Sequence, residues 1–250
     1  MQRLVRRALQ LALVALLGAT SSSAPSPRPA RLVLWAWERP ERLGFIDPSI
    51  EVAFLAETLA LAADGVEQLP RRQPLLVPSG TRLTAVVRIE SRHWPRPKLG
   101  DDQRLAAVEA LVAVQQRTHV DALQIDFDAT VRERVFYAAL LSELRARLPR
   151  GVRLSITALA SWCLDDPWIG GLPVDEAVPM LFRMGPEGRG ILRRLAGGEA
   201  FRVPLCRGSI GVSTDEEAGW VRAASTSWVF HPRAWDAASV AAVEARVGVR

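Results

Sequence analysis

Residues Asp121 to Asp128 read DALQIDFD, and the order of polar and apolar side chains in this stretch decides the fold. Successive side chains of a strand point to opposite faces, so Gln124, Asp126 and Asp128 share one face and Leu123, Ile125 and Phe127 the other. An apolar face of this kind packs against helices, which leaves the three polar groups to line an interior or a cleft. Unpaired charge is costly in a core, so two aspartates placed there need cationic partners or a polar ligand. Same-face neighbours lie ~7 Å apart, close enough for Asp126 to oppose the ionisation of Asp128.

Helical patterns flank this strand. Upstream, Asp101 to Thr118 sets Leu105, Val108, Leu111, Val112 and Gln115 at helical spacing, with Asp101 or Asp102 as a cap. Downstream, Glu133 to Leu148 is amphipathic and stops at Pro149. Short β-type runs precede them at Leu32–Trp37, Val52–Leu55 and Leu83–Glu90. Others follow at Arg153–Leu159, Ala177–Phe182, about Val203–Arg207 and Ser227–His231. Thr214 is placed to cap a helix from Asp215 to Ala224, and Asp236 opens the last helix.

Eight strands separated mainly by helices predict parallel pairing with right-handed crossovers. The α/β architecture that fits this count and length is a (β/α)8 TIM-type barrel. One interval departs from the rule. Val66 to Val77 holds Pro70 and Pro74, with Pro78 next, which no long helix tolerates. An irregular or hairpin insertion is expected there, between strands 2 and 3. An open doubly wound sheet is the alternative, but no GxGxxG turn follows the first strand.

The chain's first residues set its expected destination. Arg3, Arg6 and Arg7 precede the apolar run Ala8–Ala19, and small residues follow from Thr20 to Ala24. This is the layout of a signal peptide over residues 1–24, with a Pro- and Ser-rich linker over 25–30 and one barrel domain over 31–250. The apolar run is shorter than the ~20 residues that span a bilayer, so the expected mature protein is exported, periplasmic or extracellular, with no stable membrane span. The net charge of +5 comes almost wholly from dispersed arginines, with Lys98 the only lysine. No basic run interleaves with aromatics, so a nucleic-acid partner is not expected. No protein partner is legible in the sequence. Cys163 and Cys206 could pair in an oxidising space or remain buried thiols. Placed near the ends of the fifth and seventh strands, they would be ~9–10 Å apart with the sixth between them, which argues against a bridge.

Functional groups of such a barrel collect at the carboxyl ends of its strands. Asp128, Asp126 and Glu90 are the candidate catalytic groups, expected as one acidic cluster in the barrel mouth. Candidate substrate-binding residues are Gln124, Arg88, Arg183, Trp37, Trp162, His231 and Arg233. Trp35, Trp37, Trp94, Trp162 and Trp235 fall near strand ends, where aromatic faces stack on sugars, although tryptophans also fill barrels. His93, His119 and His231 lack a ligand spacing, so neither metal nor cofactor is expected. No GxSxG elbow points to a serine hydrolase.

DALQIDFD resembles the DGxDxDxE motif of the chitinase-like family-eighteen glycoside hydrolases, which sits on strand four of a barrel. Aligned without gaps, Asp121 matches the first acid, Gln124 replaces the second and Asp126 matches the third. Asp128 stands at the general-acid glutamate. The resemblance implies that Asp128 protonates the leaving oxygen, while Asp126 orients an acetamido group or holds its partner's charge. Phe182 stands where those enzymes carry a tyrosine, and aspartate is one methylene shorter than glutamate. A second likeness spans nearly the whole mature chain, through LVLWAWERPERLGFID, AVVRIE, LQIDFDAT, LSITALASWCLDD, DEAVPMLFRMG, LCRGSIGVSTDE and WVFHPRAW. These resemble an uncharacterised bacterial family, domain of unknown function number 3142. It implies a bacterial exported protein and carries no activity with it.

Two functions compete. One is an exported glycoside-hydrolase-like barrel that hydrolyses an amino-sugar polymer with Asp128 as general acid. The other is a non-catalytic glycan-binding or structural barrel whose acids and arginines pair with each other. An open cleft with a free Asp128 favours the first; Asp128 tied to Arg88 or Arg183 favours the second.

Overall fold

The computed structural model describes residues 30–217, 220 and 224–248. The signal-type segment and the linker up to residue 29 lie outside the described residues, as do 218–219 and 221–223 of the helix expected over Asp215–Ala224. The chain runs through β1 (Arg31–Ala36), β2 (Glu41–Arg42), β3 (Glu51–Ala62), β4 (Gly65–Pro70), β5 (Leu75–Leu76) and β6 (Leu83–Ser91). Then come α1 (Asp101–Thr118), β7 (Ala122–Asp126), α2 (Arg134–Arg147), β8 (Arg153–Leu159) and α3 (Ala160–Leu164). β9 (Glu176–Met180), α4 (Gly188–Ala196), β10 (Ser209–Ser213), β11 (Thr226–Phe230) and α5 (Ala237–Val247) complete it.

Eight strands pair in parallel in the order β1-β3-β6-β7-β8-β9-β10-β11, and β11 returns to β1. The sheet therefore closes into the (β/α)8 TIM-type barrel that the strand count predicts. β6 lies beside β7, with Arg88 opposite Asp126. The connection from β3 to β6 is the expected hairpin: β3 runs for 12 residues and turns back antiparallel as β4. Gln103 of α1 pins that turn, accepting from the Leu99 N–H at 2.9 Å and donating to the Gly65 carbonyl at 2.7 Å.

Leu123, Ile125 and Phe127 are buried in the same core as Leu111, Tyr137 and Leu140 of the helices, as the parity of the strand requires. Inside the barrel a smaller cluster of Trp35, Val86, Val178, Trp228 and Phe230 fills the space. Gly211 of β10 makes room for it. A Cβ there would lie 2.9 Å from Cη2 of Trp35, too close for either group to stay put. Gly211→Ala is expected to cost ~1–3 kcal/mol through overpacking, read as a lower Tm with altered tryptophan fluorescence.

Val203–Arg207, expected as a strand, forms instead a 3-10 turn at Pro204–Cys206, and the seventh barrel strand is β10. Proline lacks an N–H and carries a helical φ, so it suits the first position of a turn and not a central strand. The true strand, SIGVS, has a glycine and two serines that mute its β character. The correction decides the cysteines. Cys163 lies in α3 and Cys206 in the 3-10 turn, both off the ladder, and they form a disulfide with Cα atoms 6.0 Å apart. The spacing that argued against a bridge applies only to residues on strands.

Candidate active site

The carboxyl ends of the strands open onto one cleft. The chain leaves β7 still alternating, so Asp126 and Asp128 both line the cleft while Phe127 turns back onto Tyr137 of α2, ring centroids 5.1 Å apart. Thr157 of β8 donates to Asp126 Oδ1 at 2.7 Å. Arg88 on β6 directs its Nε to Glu90 at 2.8 Å. Among the described residues, Asp128 has neither a hydrogen-bond nor an ion-pair partner.

Burial raises the carboxyl pKa of Asp126; the bond from Thr157 opposes this, the charge of Asp128 adds to it, and Arg88 then opposes it. Burial also raises Asp128, with Arg88 pulling the other way. Asp128 also meets solvent in the cleft, which screens Arg88 and limits how far burial can raise the carboxyl. The two aspartates thus stand in unlike settings, one bonded and enclosed, one open and free.

On one side of the aspartates the cleft widens to about 770 Å³, walled by Trp35, Trp37, Met180, Phe182, Arg183 and Phe230. On the other it opens into about 900 Å³ over Glu90, Ser91, Arg92, Arg96, Arg132 and Glu133. Arg88, Asp126 and Asp128 line both lobes and form the waist between them.

The aromatic wall is held from behind. Trp35 donates its indole N–H to Gln124 Oε1 at 2.8 Å, and Gln124 in turn donates to Ser155 Oγ at 3.3 Å. A carboxylate at position 124 could not donate to Ser155 and would bury a charge, which accounts for glutamine there. Gln124 therefore sits beneath the cleft, fully buried, and supports it. Arg71 fixes the loop after β1 by donating to the carbonyls of Trp37 at 2.5 Å and Arg39 at 2.6 Å. The Arg88 guanidinium lies 6.0 Å from the Trp37 ring. Phe182 stacks on Phe230 at 5.8 Å and 5°. Arg183, at a positive φ of 51°, lays its guanidinium 4.8 Å from the Phe230 ring.

The remaining expected site residues fall elsewhere. Trp162 is buried against Trp168, 5.1 Å away, outside both lobes. His231 meets Thr214 Oγ1 at 2.5 Å through Nδ1 and packs on Trp235; burial, and then Arg233, lower its pKa. Neither His231 nor Arg233 lines either lobe. Trp235 is buried and donates to the Trp35 carbonyl at 2.9 Å. Sequence reading missed Thr157, Ser155, Arg71, Met180 and Phe230. A signal existed for the first two: in RLSITAL, Ser155 and Thr157 alternate with apolar residues as Gln124 and Asp126 do, and Ser155 is the register partner of Gln124.

Residues 79–180, which run from just before β6 to the end of β9, match the family described as "Domain of unknown function (DUF3142)". No curated protein matches the chain. Among solved structures it is similar to a Streptomyces coelicolor protein described as "putative Chitinase A". The identity is 12%, with 88% of this chain and 99% of that one covered, at a TM-score of 0.53. It is similar to the catalytic domain of a family GH18 chitinase from the fern Peteris ryukyuensis, with 12% identity, 80% and 91% covered, and a TM-score of 0.52. It is also similar to the Bacillus megaterium QM B1551 spore cortex-lytic enzyme SleL, with 13% identity, 89% and 59% covered, and a TM-score of 0.51. The fold is a glycoside-hydrolase-like barrel. At such identities the likeness reaches the architecture and stops there.

Proposed function

We propose that this chain is an exported glycoside hydrolase that cuts an amino-sugar polymer, with Asp128 as its general acid. The state of Asp128 carries the reading: it lies at the waist of an open cleft, its pKa is raised by burial, and no described residue bonds to it. An aspartate clamped by Arg88 would stay ionised. Arg88 pairs with Glu90 instead, so Asp128 keeps its proton to higher pH than a free aspartic acid.

The other groups fit around that proton. Trp37 offers a face on which a sugar ring stacks. Asp126, oriented by Thr157, accepts the N–H of an acetamido group and turns that group's oxygen towards the anomeric carbon. As the bond to the leaving oxygen breaks, Asp128 supplies its proton; water then attacks, and Asp128 takes a proton back. Glu90 acts by holding Arg88 away from Asp128. Export is supported by the signal-type segment and by the Cys163–Cys206 bridge, which belongs in an oxidising space. Among the described residues no helix is long and apolar enough to cross a membrane.

Phe182 supports a second reading, a glycan-binding barrel that does not cleave, because its ring offers no hydroxyl to a sugar. A purified chain starting at Pro25, incubated with oligomers of N-acetylglucosamine and with peptide-free peptidoglycan strands, separates the two. Shorter oligomers in the mass spectrum are expected. Binding without shortening would support the second reading, and neither binding nor shortening would remove a sugar function.

A further inference from the structure

Apart from the waist and Glu90, the lobe beyond takes no part in the chemistry proposed above, and its charges are unevenly satisfied. Glu90 is held by Arg88 at 2.8 Å. Glu133 is buried and accepts from Ser91 Oγ, from the Thr130 N–H at 2.7 Å and from Thr130 Oγ1 at 2.6 Å. Arg92 pairs with Glu67 at 2.9 Å. Arg96 and Arg132 line the same cavity, and among the described residues neither has a carboxylate partner. Glu90, Asp126, Asp128 and Glu133 line the lobe as well, so its pull on an anion comes from the two unpaired guanidinium forks themselves, which match a carboxylate with two parallel bonds.

The backbone beneath both arginines is fixed, so the lobe is built before any ligand arrives. The segment bearing Arg96 is tied to the hairpin turn, with the Lys98 N–H bonded to the Ala63 carbonyl at 2.5 Å and the Ala63 N–H to the Pro95 carbonyl at 3.4 Å. Arg132 lies inside the Thr130–Glu133 turn, closed by the Glu133 N–H on the Thr130 carbonyl at 2.9 Å. A neutral polymer would leave both arginines unused.

We infer that this lobe binds the carboxylate of an acidic sugar, so that the polymer held across Asp128 carries acetamido sugars on the aromatic side and carboxylate-bearing sugars on the basic side. The inference rests on the hydrolase reading for the position of the cut, and the carboxylate belongs either to a uronic acid or to a lactyl ether. Arg96 and Arg132 bracket the carboxylate.

Calorimetric titration of the full-length mature Asp128→Asn protein, which holds substrate without consuming it, tests the lobe. The ligands are hexasaccharides: a hyaluronan fragment, the same fragment with its carboxyls reduced, an N-acetylglucosamine oligomer, and a peptide-free strand of N-acetylglucosamine and N-acetylmuramic acid. At low salt the tighter of the two acidic ligands is expected to bind about tenfold more strongly than the neutral ones, and 0.5 M salt should erase the difference. The tighter ligand identifies the source of the carboxylate, uronate or lactyl. Arg96→Gln with Arg132→Gln, both at exposed positions, should reduce the preference to within about twofold. Neither acidic ligand binding more tightly than the neutral and carboxyl-reduced ones would overturn the inference and leave the hydrolase reading standing, as would a preference that survives the double substitution. Failure of every ligand to bind would overturn both.

Discussion

Asp128→Asn is expected to lower kcat by about 10²–10⁴-fold while leaving the fold and glycan affinity in place. Asparagine keeps the size of the side chain and removes the transferable proton, and no described residue loses a hydrogen bond by the change. Stability should move the other way. A carboxyl whose folded pKa is raised holds its proton in the folded state after the unfolded chain has released it. Its favourable contribution is therefore full below the unfolded value and is lost as pH rises through the raised value. At neutral pH the ionised Asp128 opposes folding, so Asp128→Asn should raise Tm there and change little at pH 3. A dead variant with a raised Tm separates catalysis from misfolding. In the wild type, the alkaline limb of the rate profile should fall as Asp128 ionises, above the ordinary aspartate range. Asp126→Asn should lower the rate less steeply, because it changes the group that orients the acetamido N–H and leaves the proton of Asp128 in place. Full hydrolysis by Asp128→Asn would show that the acid lies elsewhere.

Removing the Cys163–Cys206 bridge is expected to destabilise the protein by about 4 kcal/mol, the loop-entropy value for its 43-residue separation. For a domain of this size that is on the order of 10 °C in Tm. The double substitution Cys163→Ser with Cys206→Ser avoids an unpaired thiol, and a thermal scan with and without reductant should place the reduced wild type near it. Activity should fall with stability. Leu159, Ala160 and Ser161 line the aromatic lobe just before Cys163, and the Arg202 and Val203 N–H groups bond the Cys163 carbonyl at 2.9 and 3.3 Å. The bridge clamps that wall to the turn before β10. A Tm insensitive to reductant would show that the hydrogen bonds alone suffice.

Local patterns along the chain determined the barrel and half of the site. DALQIDFD placed Asp126 and Asp128 on one inner face because a strand alternates with period two wherever it lies, and the apolar face had to meet helices. The limits of α1 followed from its apolar spacing, although its N-cap is Gly100 and the expected caps Asp101 and Asp102 fall inside its first turn, and the hairpin followed from prolines that no helix accepts. Tertiary structure decided what those residues meet. Arg88 turns to Glu90 and not to Asp128, Gln124 lies under Trp35, and Trp162 goes into the core. Arg96 and Arg132, 36 positions apart in sequence, share one lobe only because β6 and β7 are neighbours in a closed sheet. The cysteines pair because the segment 203–207 is a turn outside the ladder. Alternation, capping and proline act within a few residues and are legible in the sequence. Ion-pair choice, stacking and bridging depend on which strand ends converge, and only closure of the barrel settles that.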